Sequence, residues 1–134
     1  LCSEKFKTAG VEIIDEVQDL GVVGRKLQLS QVVLNLLVNA QYELTNNNHE
    51  NPWVKLESGV EQGVVVLKIT DSGKGIPQEV RKQIFRQFYT TKPKGKGTGI
   101  GLFLSRQLLR DMGGNLKYNS KSPNTCFEIN LKKG

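Results

Sequence analysis

Cysteine, histidine and tryptophan are scarce in this 134-residue chain, which has two, one and one of them respectively. Cys2 and Cys126 stand in no metal-ligand or redox spacing, so neither a disulfide scaffold nor a structural metal site is expected, and both thiols should be inert. No apolar stretch approaches the roughly 18 residues a membrane helix needs, and no signal-peptide pattern opens the chain. A soluble, cytosolic piece is expected. Internal repeats and low-complexity tracts are missing as well. Acidic residues are absent between Val80 and Arg110, where eight basic ones occur: Arg81, Lys82, Arg86, Lys92, Lys94, Lys96, Arg106 and Arg110. The rest of the chain, with 11 basic and 13 acidic residues, carries a net charge of −2, so the overall +6 is local. A nucleic-acid surface would spread its basic residues among aromatics. Here they cluster with glycines, which suits a polyphosphate and argues against nucleic acid.

What is present fits one compact domain over residues 1–134, with 37% hydrophobic and 24% charged residues. Cys2 to Ala9 reads as a short helix closed by Gly10, and Val11 to Val17 as a strand. A long helix is predicted from about Gln28 to Leu44, ending at Asn46-Asn47-Asn48. Trp53 to Ser58 and Val64 to Thr70 read as strands joined by a hairpin loop over Gly59 to Gly63. A second long helix is predicted from near Gly99 to Met112, with Ile100, Leu104, Leu108 and Met112 on one face and a stop at Gly113-Gly114. Leu116 to Asn119 and Thr125 to Leu131 read as final strands. This order predicts a two-layer α/β sandwich, a mixed sheet covered on one face by helices.

Three features carry chemistry. Along Val32 to Ala40 the only polar residues are Asn35 and Asn39, four apart on one face, with Gln31 and Glu43 extending the stripe. The helix is apolar around nearly its whole circumference and is expected to be buried. Buried amides need partners, either a ligand in a polar cavity or neighbouring backbone. Asparagine is also a poor residue for a helix interior. Second, the strand ending at Thr70 runs into Asp71-Ser72-Gly73-Lys74-Gly75-Ile76-Pro77. These glycines let backbone approach a ligand closely while the aspartate accepts from an amino group, although an ordinary Asx turn fits the same heptapeptide. Third, Gly95-Lys96-Gly97-Thr98-Gly99-Ile100-Gly101-Leu102 leads into the second long helix, whose free N–H groups suit phosphate. It is neither a P-loop nor a dinucleotide fingerprint. Between the two glycine segments, Ile84 to Gly95 reads as a flap hinged on Phe85 and Phe88, with Lys92 placed to reach phosphate.

These segments, in this order, resemble the ATP-binding superfamily shared by histidine kinases, type II topoisomerases, mismatch-repair proteins and heat-shock chaperones, the GHKL or Bergerat fold. Within it the match is to sensor histidine kinases. Gln31 to Ala40 looks like their asparagine box, Asp71 to Pro77 and Gly97 to Leu102 like their two glycine boxes, and Phe85 to Lys92 like their phenylalanine box. The resemblance covers about Gly10 to Leu131. It implies that ATP and Mg²⁺ are bound, with Asn39 holding the metal ion and Asp71 accepting from the adenine amino group. Gly73, Gly75 and Ile76 would lie against the base, and Gly97, Thr98, Gly99, Ile100, Gly101 and Leu102 would cradle phosphate. Phe88, Thr91 and Lys92 would belong to the flap, with Lys92 a mobile phosphate contact, and Thr125 would support the adenine site. Two positions depart from the family pattern. Ser122-Pro123-Asn124 stands where glycines are usual, and Tyr42-Glu43 where a basic or small residue is common.

Hydrolytic members of the superfamily carry a water-activating glutamate one turn before the metal-binding asparagine, and here that residue is Asn35. A neutral carboxamide cannot act as a general base, whereas an imidazole acceptor already has a free lone pair and needs mainly positioning. The resemblance therefore implies phosphoryl transfer to a histidine on a separate dimerisation domain of the same protein. A response regulator would act downstream, the parent would be a homodimer, and any membrane would be met only through that parent. A nucleotide-binding module without catalysis is the rival reading. His49, in a polar loop, reads as a solvated residue and not an acceptor.

Overall fold

The computed structural model describes residues 12–16, 26–46, 51–87 and 101–132. Its sheet is built from β1 (Glu12–Glu16), β2 (Trp53–Glu61), β3 (Val64–Asp71), β4 (Asn115–Tyr118) and β5 (Thr125–Lys132). The strand order is β1-β2-β3-β5-β4. β1 runs parallel to β2 and every other pairing is antiparallel, so the sheet is mixed, as the element order predicts. Helices α1 (Lys26–Asn46) and α3 (Gly101–Asp111) supply the second layer, and the short α2 (Gln78–Arg81) follows the first glycine segment.

Period-4 spacing in α1 puts Val32, Leu36, Ala40 and Leu44 on one buried line. They pack onto the inward residues of alternating strands: Val54 and Leu56, Leu67 and Ile69, Leu116, and Phe127, Ile129 and Leu131. The outward face of the same strands carries two ion pairs beside buried Val66 and Cys126. Lys55 Nζ lies 3.6 Å from Glu57 Oε2, and Lys117 Nζ lies 3.9 Å from Glu128 Oε1. On that face too, Thr70 donates to the sulfur of buried Cys126 at 3.3 Å. Cys126 is a free thiol, as expected, and burial pushes its pKa up.

The structure corrects three expectations. The β2–β3 connection is not a loop over Gly59–Gly63. Gly59 sits within β2 opposite Val66, and the turn is only Gln62-Gly63. Both turn residues have positive φ, 53° and 77°, the mirror-image turn whose twist matches that of paired strands. Helix α1 is not buried all round, since Gln31 is exposed and Leu34 is 38% exposed. The sheet and α3 cover only part of its circumference. In α3 the inward line runs through Leu102, Ser105, Leu109 and Met112, while Leu104, expected on the core face, is 42% exposed. That helix ends as expected. Gly114 N–H reaches the Leu109 carbonyl at 2.7 Å and Gly113 N–H the Arg110 carbonyl at 3.0 Å, a Schellman closure with φ of 79° at Gly113. The expected helix Cys2 to Ala9 lies outside the described residues.

Candidate nucleotide site

Asp71 ends β3 and Thr125 begins β5, and the two are register partners. Each lies two residues from a core position, Ile69 and Phe127, so both side chains come to the helix-covered side of the sheet. A carboxylate only 6% exposed needs donors, and Asp71 Oδ1 accepts the Gly73 N–H at 2.7 Å. This is the Asx turn the heptapeptide suggests.

The loop that follows is held by side chains from β4 and β5, by Asn124 just before β5, and by the backbone of β2. Gly75 N–H donates to Thr125 Oγ1 at 3.1 Å, and Ile76 N–H donates to the Tyr118 hydroxyl at 2.9 Å. The Gly73 carbonyl accepts from Thr125 N–H and from Asn124 Nδ2, each at 3.2 Å. Ser72 is tied back to β2, its N–H donating to the Trp53 carbonyl at 2.9 Å and its Oγ accepting the Trp53 N–H at 3.2 Å. Glycine is demanded by this geometry. A Cβ at residue 73 would stand 2.7 Å from Asp71 Oδ1 and 2.9 Å from Thr125 Oγ1, and Gly75 has φ of 93°. Asp71, Gly73, Gly75, Ile76 and Thr125 are thus brought together around one loop. Asn124, from the atypical Ser122-Pro123-Asn124 stretch, contributes a bond that glycine could not.

Beneath the loop runs a chain of rings. The Arg81 guanidinium lies 5.8 Å from the Tyr118 ring centroid, Tyr118 meets Phe127 edge-on at 5.5 Å, and Phe127 meets Phe85 at 6.4 Å and 90°. The Arg106 guanidinium then sits 4.5 Å from the Phe85 centroid. Phe85, one of the two residues expected to hinge the flap, packs against the hydrophobic core.

On α1 the polar stripe is connected. Gln31 Nε2 donates to Asn35 Oδ1 at 3.1 Å, and Asn35 Nδ2 donates to Ser105 Oγ of α3 at 3.2 Å. Ser105 is fully buried, so Asn35 joins two helices by satisfying a group that has no access to water. Asn39 is half-buried one turn further on. A magnesium ion takes hard oxygen donors and keeps several water or phosphate ligands, so one amide oxygen is a fitting protein contribution. Among the described residues no group of three His, Cys, Asp or Glu could hold a metal ion. Gly101 opens α3, and no described atom lies within 4 Å of where its Cβ would be. Leu102 packs on the core. Phe88, Thr91, Lys92, Gly97, Thr98, Gly99, Ile100 and His49 lie outside the described residues.

Sequence reasoning missed Tyr118, Asn124 and Ser105. Tyr118 was in principle legible, because alternation from Leu116 turns it to the same face. The other two depend on contacts across the fold.

A family model described as histidine kinase-, DNA gyrase B-, and HSP90-like ATPase matches residues 24–134. The two-component sensor PprA of Pseudomonas aeruginosa is 40% identical over 124 residues, which cover 90% of this chain and 13% of PprA, so the chain spans a small part of that relative. The catalytic domain of histidine kinase ThkA superposes with a TM-score of 0.81 at 29% identity, covering 98% of this chain and 85% of that one. ThkA solved in complex with the response regulator protein TrrA superposes at 0.79 with 26% identity, covering 99% of this chain and 37% of that one. The mixed sheet, the Asp71 and Thr125 cradle and the asparagine-bearing helix thus sit in a chain that belongs to the histidine kinase-, DNA gyrase B- and HSP90-like ATPase family, alongside relatives that are sensor histidine kinases.

Proposed function

We propose that this domain binds Mg-ATP and transfers the γ-phosphoryl group to a histidine on a separate dimerisation domain of its own parent, for relay to a response regulator. The observation that carries the reading is the cradle at the ends of β3 and β5. There a nearly buried carboxylate and a threonine hydroxyl hold a glycine loop in place, which supports a site that reads a base by its amino group. In this reading Asp71 accepts from the adenine amino group, while Gly73, Gly75 and Ile76 line the base and Thr125 holds the loop. Asn39 contributes an oxygen to Mg²⁺, which when bound neutralises phosphate charge. Gly97, Thr98, Gly99, Ile100, Gly101 and Leu102 cradle phosphate, and Phe88, Thr91 and Lys92 close over it.

The acceptor imidazole forms a nitrogen–phosphorus bond as the bond to the bridging oxygen breaks, and ADP leaves. No base on this domain is required. At the position where a hydrolase would activate water stands Asn35, whose amide is engaged with Gln31 and Ser105. The parent acts as a homodimer with this domain in the cytoplasm. Among the described residues no helix is long and apolar enough to cross a membrane.

Incubated alone with γ-labelled ATP, the chain should stay unlabelled and hydrolyse ATP slowly. Added dimerisation domain from the same parent should take up acid-labile, base-stable phosphate. Rapid labelling at His49, or fast hydrolysis without a partner, refutes the proposal.

A further inference from the structure

The chemistry proposed above uses the loop from Gly73 to Ile76 but leaves unexplained why a tyrosine on β4 reaches it. We infer that Tyr118 is a positioning residue for the nucleotide base: its hydroxyl sets the backbone of Gly75 and Ile76, and so the placement of the base against Asp71. The inference rests on the nucleotide reading of this site.

Three observations carry it. The Tyr118 hydroxyl accepts the Ile76 N–H at 2.9 Å, capping the left-handed turn at Gly75, where φ is 93°. The same oxygen lies 3.1 Å from where a Cβ on Gly75 would be, so hydroxyl and loop are in close contact. The ring has little freedom to follow a shifting loop, because Phe127 meets it edge-on at 5.5 Å and the Arg81 guanidinium lies over it at 5.8 Å. A hydroxyl on a wedged ring is a fixed reference point. Thr125 Oγ1 supplies a second such point at Gly75 N–H. Two adjacent peptides are thereby pinned from two different strands, beside the carboxylate that would read the adenine amine.

The test is Tyr118→Phe, which removes only the oxygen and keeps the ring contacts. Calorimetric titrations of parent and variant chains would use ATP and inosine triphosphate, which lacks the exocyclic amine. Loss of one hydrogen bond that orders the loop should weaken ATP binding about fivefold and inosine triphosphate less, because only ATP also loses its contact with Asp71. The ratio between the two should therefore narrow. A merely structural role would weaken both alike and leave the ratio as it is, and that result overturns the inference, as does an unchanged ATP affinity. If the parent chain itself fails to prefer ATP, the nucleotide reading fails instead. Should the variant not fold, the parent still provides a test. Adenosine should shift the Tyr118 ring and Ile76 amide resonances and inorganic triphosphate should not; a shift with triphosphate alone, or with neither, refutes the inference.

Discussion

Substituting Gly73 by alanine is the sharpest probe of the cradle. The new methyl group would lie 2.7 Å from Asp71 Oδ1 and 2.9 Å from Thr125 Oγ1, separations that carbon and oxygen do not sustain. Neither neighbour can yield freely. Asp71 is 6% exposed and bonded to the Gly73 N–H, while Thr125 Oγ1 holds the Gly75 N–H. Forcing a methyl into a packed site costs about 1–3 kcal/mol, which for a domain of this size lowers Tm by roughly 4–11 °C. The carboxylate must also turn from its position. If Asp71 reads the adenine amine as proposed, losing that charge-assisted hydrogen bond then weakens ATP binding about 10- to 100-fold. Two other glycines serve as controls. At Gly114 a Cβ would collide with the Asn130 carbonyl and lie 2.6 Å from Leu131 Cδ2, so Gly114→Ala should lose stability but keep its ATP affinity when folded. At Gly59, inside β2, no described atom lies within 4 Å of the added carbon, and Gly59→Ala should be neutral or slightly stabilising. Melting curves and calorimetry at a temperature where all variants are folded would decide. Unchanged ATP affinity in Gly73→Ala, or an equal loss in Gly114→Ala, would refute the reasoning.

Asp71→Ala should reduce ATP affinity by about 1.5–3 kcal/mol, the worth of a charge-assisted bond; calorimetry showing the parent value would rule out Asp71 as the adenine reader. Asn39→Leu should keep the fold and abolish the enhancement of nucleotide binding by Mg²⁺, and titrations with and without the metal that match the parent would make Asn39 structural. Burial raises the Cys126 pKa, so the folded state favours the neutral thiol. Its contribution to stability is complete below the unfolded thiol's pKa and lost as pH rises through the folded value. In a Cys2→Ser background, Cys126 should react with a thiol reagent only on unfolding, and denaturant midpoints should fall on the alkaline side. Prompt modification of the native protein at neutral pH would contradict its burial.

Local pattern carried much of the fold and less of the site. Four-residue spacing in α1, alternation in β3 and β5 and the glycine stop after α3 are properties of neighbours in sequence, and each was legible. The Gln62-Gly63 turn was not, because glutamine at positive φ is a cost accepted for a twist that only the paired strands reveal. Likewise Leu104 fits a helical stripe on paper, but α3 meets α1 through Ser105, which turns Leu104 outward. Asp71, Gly73 and Gly75 declared themselves through composition. Their holders Tyr118 and Asn124 stand more than forty residues away in the chain, and only the pairing of β3 with β5 and β5 with β4 brings them near.

That pairing has a consequence for how the protein is made. The sheet order places β5, the last described strand, between β3 and β4, so its arrival closes the sheet and completes the cradle together. A nascent chain halted before Thr125 would display the glycine loop without the hydroxyl that holds Gly75 and without the strand that pairs with Asp71. The glycine loop therefore takes its held shape only when β5 joins the sheet, and a ribosome-bound intermediate carrying every earlier motif would still lack the loop on which the proposed nucleotide site depends.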